Sequence, residues 1–284
     1  MAMGNTTKTF MFMAAMVALF MVVGQALGGR QGMMAALVMA VAMNFFAYWF
    51  SDSLALRMNG AVEIAYQDAP DLYQLISSLA SRAGLPMPKV CVVDSDTPNA
   101  FATGRDPDHA AVAVTTGLIR LMNRDELAGV IAHELGHIKN RDILISSISA
   151  TMAGAISYLA TMAQWSMLFG GRSQDGEGGG NPLAAIISMI VAPVAASLIQ
   201  MAISRSREYQ ADATGAAICG SPRSLAQALG NLENYNRQLP MAVNPASAQM
   251  YIVNPLAGGQ LASLFSTHPP IQERIQRLLA MGGR

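Results

Sequence analysis

Charge is scarce in this chain of 284 residues. Asp, Glu, Lys and Arg together make up 13% of it, the formal net charge is zero, and hydrophobic residues reach 52%. Because basic residues are not in excess, we expect no nucleic-acid partner. The composition is also too apolar for an ordinary soluble domain of this length.

Cysteine is scarce as well, with only Cys91, in the strand-like run 89–93, and Cys219, before a glycine. Their contexts are unrelated, so we interpret both as small buried hydrophobic residues. This scarcity excludes a disulfide framework. It also argues against a structural zinc site, which commonly uses cysteine ligands.

Charged residues are absent from four long apolar runs, which are residues 10–27, 31–50, 143–169 and 182–204. Each run is long enough to cross a bilayer core of about 30 Å as a helix that rises about 1.5 Å per residue. We therefore predict a mainly α fold with four transmembrane helices, and the lipid bilayer is an expected partner.

The predicted domain organisation consists of two transmembrane hairpins, residues 1–50 and 143–204, and one domain in two parts, residues 51–142 and 205–284. Both parts lie on one side of the membrane because each hairpin returns the chain. That side also holds the N-terminus, the C-terminus and sixteen of the eighteen Lys and Arg residues, so the positive-inside rule makes it cytoplasmic.

Other interpretations of the apolar runs remain open. The first run follows Lys8 and ends in small residues, as a cleaved secretory signal does, although a second apolar run follows at once. The third and fourth runs could be buried helices of a large soluble core, but their length without charge favours a membrane.

Two of the four histidines lie four residues apart in His133-Glu134-Leu135-Gly136-His137. On a helix this spacing places both imidazoles on one face, where they can bind one zinc ion. Glu134 lies about 100° round the helix and can reach a water bound to the same metal. Asn123 and Glu126 form the capping-box pattern that begins such a helix. The sequence therefore predicts a zinc-dependent peptidase in which Glu134 activates a zinc-bound water.

A catalytic zinc usually has three protein ligands and one open position. The candidates for the third ligand are Glu208, His268, Glu233 and His109. Glu208 is the best of them. It follows the fourth apolar run by about the same length of helix by which His137 precedes the third run, so both residues should lie at a similar height above the membrane. Asp212 lies one turn further on, where its carboxylate could fix the tautomer of a zinc-bound histidine.

The soluble part is expected to be α+β with a small sheet. Residues 89–93 are compatible with a strand, and residues 99–104 and 109–115 with a β-hairpin. A strand edge beside a metal site could hold an extended peptide by main-chain pairing, although a purely structural edge strand is an equally good interpretation. Residues 237–260, rich in Pro, Asn and Gly, look like a long loop.

Four segments resemble a known family. They are HELGH at 133–137, SRSREYQADATGA at 204–216, NAFATG at 99–104 and STHPP at 266–270. Together they closely resemble the HtpX-type integral membrane zinc endopeptidases, which are related to the CaaX prenyl proteases. The resemblance covers essentially the whole chain and implies a zincin-like metallopeptidase domain.

The resemblance also implies specific roles for residues of the site. It implies one Zn²⁺ per chain, bound by His133, His137 and Glu208, with Glu134 as the catalytic base.

Three further residues, Asn99, Ala100 and Phe101, are implied to lie beside the substrate. His268 and Arg274 are implied to bind the substrate or to stabilise the tetrahedral intermediate. Enzymes of this type act in the bacterial inner membrane, where they cut misfolded or damaged membrane proteins under stress.

Two functions of other classes remain as rivals. One is a non-catalytic membrane scaffold that uses zinc to lock its soluble domain, and the lack of suitably spaced cysteines weakens it. The other is a channel or transporter, which the absence of charge within the apolar runs weakens. None of these features determines the oligomeric state.

Overall fold

The computed structural model describes residues 5–150, 152–153, 205–238, 250–253 and 269–282. Within these residues the chain is mainly helical and has one small mixed sheet. The helices are α1 (Asn5–Met58), α2 (Pro70–Ala83), α3 (Thr116–Leu121), α4 (Arg124–Lys139), α5 (Arg205–Cys219), α6 (Pro222–Gln238) and α7 (Ile271–Met281). The strands are β1 (Ala61–Glu63), β2 (Lys89–Val93), β3 (Ala100–Gly104) and β4 (Ala110–Thr115).

Helix α1 consists of two helices that meet at Gly28 and Gly29. Gly29 has a φ of 57°, a backbone conformation that favours glycine. The two halves lie side by side, since a Cβ on Gly24 would be only 2.5 Å from the carbonyl oxygen of Gly32. The side-chain amide of Asn44 also donates a hydrogen bond of 3.0 Å to a carbonyl of the first half. The two halves of α1 therefore form a helical hairpin over the first two apolar runs, and its crossing of a membrane remains a prediction.

Among the described residues, one helix is long and apolar enough to cross a membrane, Gly28–Met58 with 31 residues, and Thr6–Val22 is a shorter apolar helix. Large apolar side chains of both segments face outward, and Phe10, Val38 and Phe46 are each more than half exposed. Most of the third predicted transmembrane helix and all of the fourth lie outside the described residues, so the number four remains a prediction.

The sheet has the strand order β1-β2-β4-β3. Strands β2 and β4 are parallel, whereas β1 pairs with β2 and β3 pairs with β4 in antiparallel fashion. The pair β3–β4 is the predicted hairpin, joined by the short 3₁₀ helix Pro107–His109. Strand β3 lies at the edge of these four strands and contacts α4, so it runs beside the helix that carries the two histidines.

Helix α4 begins at the predicted cap. The Asn123 side chain accepts hydrogen bonds from the backbone N–H groups of Asp125 and Glu126, each at 3.0 Å, and Glu126 accepts one from the Asn123 N–H at 3.1 Å. This capping box satisfies donors that a helix start leaves unpaired. The apolar face of α4 is buried against α2, α5, α6 and the sheet, and it contributes Leu127, Val130, Ile131 and Leu135 to the main core.

Glycines let α5 approach α4 closely. A Cβ on Gly215 of α5 would lie 2.8 Å from the Cα of His133, and one on Gly136 of α4 would lie 2.9 Å from the carbonyl oxygen of Ala211. Larger side chains would push the two backbones apart, because packed interiors leave no spare volume. These glycines therefore set the distance between the helices that carry the candidate metal ligands.

Candidate metal centre

Three side chains from two helices converge on one point. His133 and His137 extend from α4 and Glu208 extends from the first turn of α5, and one ligand atom of each lies within 4.8 Å of the others. The Nε2 atoms of His133 and His137 lie 3.7 and 3.6 Å from the Glu208 carboxylate oxygens. The structure thus brings the three predicted ligands together.

Carboxylates behind the imidazoles orient both rings. The Nδ1 of His133 lies 3.0 Å from Asp212 Oδ1, and the Nδ1 of His137 lies 3.1 Å from Asp142 Oδ2. These contacts place a proton on the Nδ1 of each ring, so the Nε2 atoms are the ones that face the other candidate ligands. The two Nε2 atoms face each other at 3.1 Å, within hydrogen-bond distance, so either a proton or a metal cation at this point would satisfy both. Two imidazole nitrogens and a carboxylate are a donor set typical of catalytic zinc.

Asp212 is itself held by a buried arginine. Arg274 of α7 donates from Nε to Asp212 Oδ2 at 2.9 Å and from Nη2 to Oδ1 at 2.7 Å, and its Nη1 donates to the carbonyl of Ile252 at 3.0 Å. Burial raises the pKa of Asp212, but Arg274 and His133 outweigh burial and lower it to about 2. Arg274 is fully buried and lies against the His133 ring, so its observed contacts support the metal ligand. Its expected contact with substrate remains a prediction.

Sequence reasoning overlooks Asp142, whose position follows from the way α4 ends. The N–H of Arg141 donates to the carbonyl of Ile138 at 3.1 Å, and the N–H of Asp142 donates to the carbonyl of His137 at 2.9 Å, which is a Schellman turn. Arg141 has a φ of 58°, a conformation in which this turn usually has glycine. The turn directs Asp142 back over His137. The only sequence signal was an acidic residue five positions after the second histidine.

The electrostatics of the site favour positive charge. Burial lowers the pKa of His137, but Glu208 and Asp142 outweigh burial and raise the pKa to about 9. Carboxylates that stabilise a proton at this point also attract a divalent cation. Burial lowers the pKa of His133 to about 4, so this imidazole is neutral near neutral pH, which is the form that binds metal.

Glu134 lies beside the ligands with one oxygen available. It is 1% exposed, and the backbone N–H of Ala102 on β3 donates a hydrogen bond to it. Among the described residues, its Oε1 has no hydrogen-bond partner. Burial raises the pKa of Glu134 to about 7. The positive charge of His137 opposes this increase, and the negative charge of Glu208 adds to it. A carboxyl group of this pKa is suited to accept and return a proton near neutral pH.

The three residues expected beside the substrate are buried at the start of β3. Each contacts residues 250–253 of the same chain. Asn99 Nδ2 donates a hydrogen bond of 2.8 Å to that segment, the Ala100 carbonyl accepts one of 3.0 Å, and the Phe101 ring packs on a tyrosine with centroids 5.1 Å apart. Their predicted role in substrate binding remains a prediction.

The other candidates for the third ligand lie elsewhere or outside the described residues. His109 contacts Asp106 at 2.7 Å in the β3–β4 connection, and Glu233 accepts a hydrogen bond of 3.0 Å from Gln272. Neither belongs to the described group of potential ligands. His268 lies outside the described residues, so its predicted role also remains a prediction.

Together the fold and the site define a metal-dependent peptidase of the His-Glu-x-x-His type. The sequence pattern of peptidase family M48 matches residues 66–281, a range that includes the candidate ligands and Glu134. The chain belongs to peptidase family M48, whose members are zinc metallopeptidases.

Individual relatives agree with this assignment. A protease HtpX homolog of Desulforapulum autotrophicum is 57% identical over 277 residues, which cover 97% of this chain and 90% of the relative. One of Ralstonia pickettii is 56% identical over 282 residues, which cover 98% of this chain and 97% of the relative. The predicted resemblance to HtpX-type proteases is thereby confirmed, and the chain is a membrane metalloprotease.

A solved structure shares the fold. The crystal structure of S. mikatae Ste24p aligns with a TM-score of 0.54 at 20% identity, and the alignment covers 96% of this chain. The chain spans 65% of the Ste24p chain, so the likeness concerns architecture alone.

Proposed function

We propose that this chain is an integral membrane zinc endopeptidase that cuts misfolded or damaged membrane proteins at the cytoplasmic face of the bacterial inner membrane. The observation that carries the proposal is the convergence of His133, His137 and Glu208 beside Glu134. Membership of family M48 supports the peptidase chemistry. The role in protein quality control rests on the resemblance to HtpX-type enzymes.

The proposed reaction is hydrolysis of a peptide bond. His133, His137 and Glu208 would hold Zn²⁺, which would supply Lewis-acid chemistry toward water and the substrate carbonyl. Glu134 takes the proton of the attacking water and passes it to the leaving amine. A pKa of about 7 suits Glu134 to both steps.

The residues behind the ligands keep them oriented. Asp212 and Asp142 each hold one histidine through Nδ1, so that Nε2 faces the other two candidate ligands. Arg274 keeps Asp212 ionised and in place through its two hydrogen bonds. His268 remains the candidate to stabilise the oxyanion.

Contacts between the first hairpin and the start of the third apolar run, which directly follows the zinc helix, support an active site close to the membrane. The helical residues 143–150 follow the turn after α4, and Leu144 and Ile148 pack with Phe12 and Met16 of the hairpin. His137 precedes these residues by so few positions that the metal would lie within about 10 Å of the membrane surface. Such a site would favour loops and tails of membrane proteins.

A Glu134→Gln variant tests the proposal. We expect the purified variant to retain zinc and to lose cleavage of a membrane-protein reporter, because only the proton acceptor is removed. Chelation of the wild-type protein should abolish the same cleavage, and added zinc should restore it. Undiminished cleavage by Glu134→Gln would reject the enzyme assignment, whatever its metal content.

A further inference from the structure

A small cavity lies where the hairpin meets the soluble domain. Its volume is about 180 Å³. One wall comes from α1, with Thr6, Phe10 and Tyr48, and the other from the soluble side, with Arg105, Arg141 and Leu144. The cavity therefore combines cationic, hydroxyl and apolar groups.

The charge in the cavity is positive. The Arg105 guanidinium lies over the Trp49 ring at 5.0 Å and is 3.6 Å from Asp106, a carboxylate that it shares with His109. Within the described part of the chain, Arg141 has no carboxylate within ion-pair distance. The lining thus carries two guanidinium groups and one carboxylate, that of Asp106.

The backbone of Arg141 adds a second observation. Its φ of 58° is the conformation in which a Schellman turn favours glycine. Glycine would form the same turn without the steric cost that arginine has here. That side chain lines the cavity.

The surroundings of the cavity match a membrane boundary. Next to it lies an apolar cluster that includes Phe12, Leu144 and Met152. At the same end of the hairpin, Phe45 and Trp49 are about half exposed, as expected for aromatic residues at a lipid interface.

We propose that this cavity binds the phosphate group of an anionic phospholipid, an inference that rests on the proposed membrane insertion. Arg141 and Arg105 contact the phosphate, the hydroxyl groups of Thr6 and Tyr48 donate to it, and an acyl chain follows Phe10. Arginine is suited to phosphate oxygens, and basic pockets between membrane helices on the cytoplasmic side typically bind such headgroups.

Lipid binding to the purified full chain in neutral detergent, followed by native mass spectrometry, tests this proposal without measuring activity. We expect phosphatidylglycerol to bind more tightly than phosphatidylcholine. Arg141→Gln should weaken phosphatidylglycerol binding about fivefold, the effect of one arginine near anionic lipid. Arg82→Gln, at an exposed arginine in the last turn of α2, is the matched control and should bind as wild type does.

Three outcomes would overturn the proposal. Equal losses in both variants would indicate nonspecific attraction, and equal binding of the two lipids would exclude recognition of the headgroup charge. Complete displacement of the lipid by excess inorganic phosphate would assign the cavity to a free anion. Failure of the peptidase assignment would appear in the Glu134→Gln experiment and would leave these binding results unaffected.

A second inference rests on residues 250–253, which lie along the outer edge of β3. The Ile252 N–H donates to the Ala100 carbonyl at 3.0 Å, and the Ile252 carbonyl accepts from Arg274 at 3.0 Å. The Asn99 side chain bonds both the carbonyl and the N–H of Val253, at 2.8 and 3.4 Å. Through its N–H and its carbonyl, Ile252 thus bridges the edge strand and the arginine behind the metal ligands, as a residue of an added substrate strand would.

The candidate metal ligands are little exposed in this arrangement. The side chains of His133, His137 and Glu208 are 0%, 17% and 9% exposed. Tyr251 fixes the segment, because its ring packs on Phe101 and its hydroxyl donates to Asn59 Oδ1 at 3.2 Å.

We infer that residues 250–253 form an inhibitory strap that occupies the substrate position on β3 and leaves it when a peptide binds. This inference depends on the proposed peptidase function. It predicts that weaker attachment of the strap raises activity, because a larger fraction of the chain is then competent to bind substrate.

Cleavage of a short unstructured peptide by purified variants tests the strap. Tyr251→Phe removes only the bond to Asn59 and should raise kcat/KM two- to tenfold through a lower KM, with unchanged zinc content. Ile252→Pro removes the N–H that pairs with Ala100 and should have the same effect. Tyr66→Phe, at an exposed tyrosine whose hydroxyl accepts from Gln74, is the control.

A lower kcat/KM for Tyr251→Phe at normal zinc content would contradict the inhibitory role of the strap. It would indicate instead that residues 250–253 stabilise the active site. Hydrogen exchange separates this failure from failure of the enzyme assignment. In Glu134→Gln, a peptide hydroxamate should accelerate exchange of the Ile252 and Val253 amides if the strap is displaced. Unchanged exchange on saturation with the hydroxamate would contradict displacement.

Discussion

Replacement of Gly215 by alanine should separate the two helices that carry the zinc ligands. The added Cβ would lie 2.8 Å from both the Cα and the N of His133 and 3.0 Å from the carbonyl carbon of Ala132. Nonbonded carbon atoms prefer about 3.5–4.0 Å, so α5 must shift by about 1 Å. The clashing atoms are backbone atoms, which leaves no side chain to move aside.

The shift should reach the metal site through Glu208. This residue lies on α5 together with Gly215, and its carboxylate is 3.6 and 3.7 Å from the two Nε2 atoms. Metal–ligand distances tolerate about 0.2 Å, much less than the expected displacement. We therefore expect zinc affinity to fall at least about tenfold, as for other changes in ligand orientation. Overpacking should also lower the free energy of unfolding by about 1–3 kcal/mol.

Zinc competition with a chromophoric chelator and thermal unfolding of the metal-free chain measure the two effects. Gly230→Ala in α6 is the matched control, because the atom nearest to its added Cβ is Ile275 Cδ1 at 3.8 Å, an ordinary contact. Alanine favours a helix over glycine by up to about 1 kcal/mol, so the control should be neutral or more stable. If Gly215→Ala matched this control in both assays, the close crossing of α4 and α5 would not be what positions Glu208.

Three further predictions concern the charged groups of the site. Arg274→Met should lower the free energy of unfolding by about 3–5 kcal/mol, because Asp212 loses a buried partner. Adding Asp212→Leu should recover most of that loss. A loss below about 1 kcal/mol in the single variant would match an exposed ion pair and contradict the reasoning. Asp142→Asn should weaken zinc binding by about 10–100-fold in a chelator titration, and an unchanged titration would reject its orienting role. Glu208→Ala should remove most of the bound zinc whereas His268→Ala should retain it, and the reverse result would move the third ligand to His268.

Local features of the fold were predictable from the sequence because short-range interactions determine them. The capping box at Asn123 and the face shared by His133 and His137 depend only on residues within a few positions of each other. The β3–β4 hairpin was likewise predicted from its two apolar runs and the polar turn between them. Prediction of Glu208 as the third ligand required two further arguments. One was its height above the membrane, calculated from the helix rise after the apolar runs, and the other was the resemblance to a family.

Contacts between distant segments were not predictable. Asn99 and Val253 are 154 residues apart, and residues 250–253 belong to a stretch whose Pro, Asn and Gly content suggested a loop. Main-chain pairing leaves no mark on side-chain composition, so the strap could not be inferred. Asp142 was missed for another reason, since a Schellman turn is predicted from glycine and here Arg141 takes that conformation.

Burial of charge decides the environment of Arg274, which its sequence context alone does not determine. An arginine on an amphipathic helix such as α7 can either extend into solvent or be buried against a carboxylate. The packing of the other helices decides between these two arrangements. Among the described residues, all buried Asp, Glu, His and Arg side chains except Glu126 belong to the metal centre or adjoin it. Each such group is costly to bury without a partner. A fold that stabilises so many of them at one point does so for chemistry, which is why this cluster is stronger evidence for a catalytic centre than the spacing of two histidines alone.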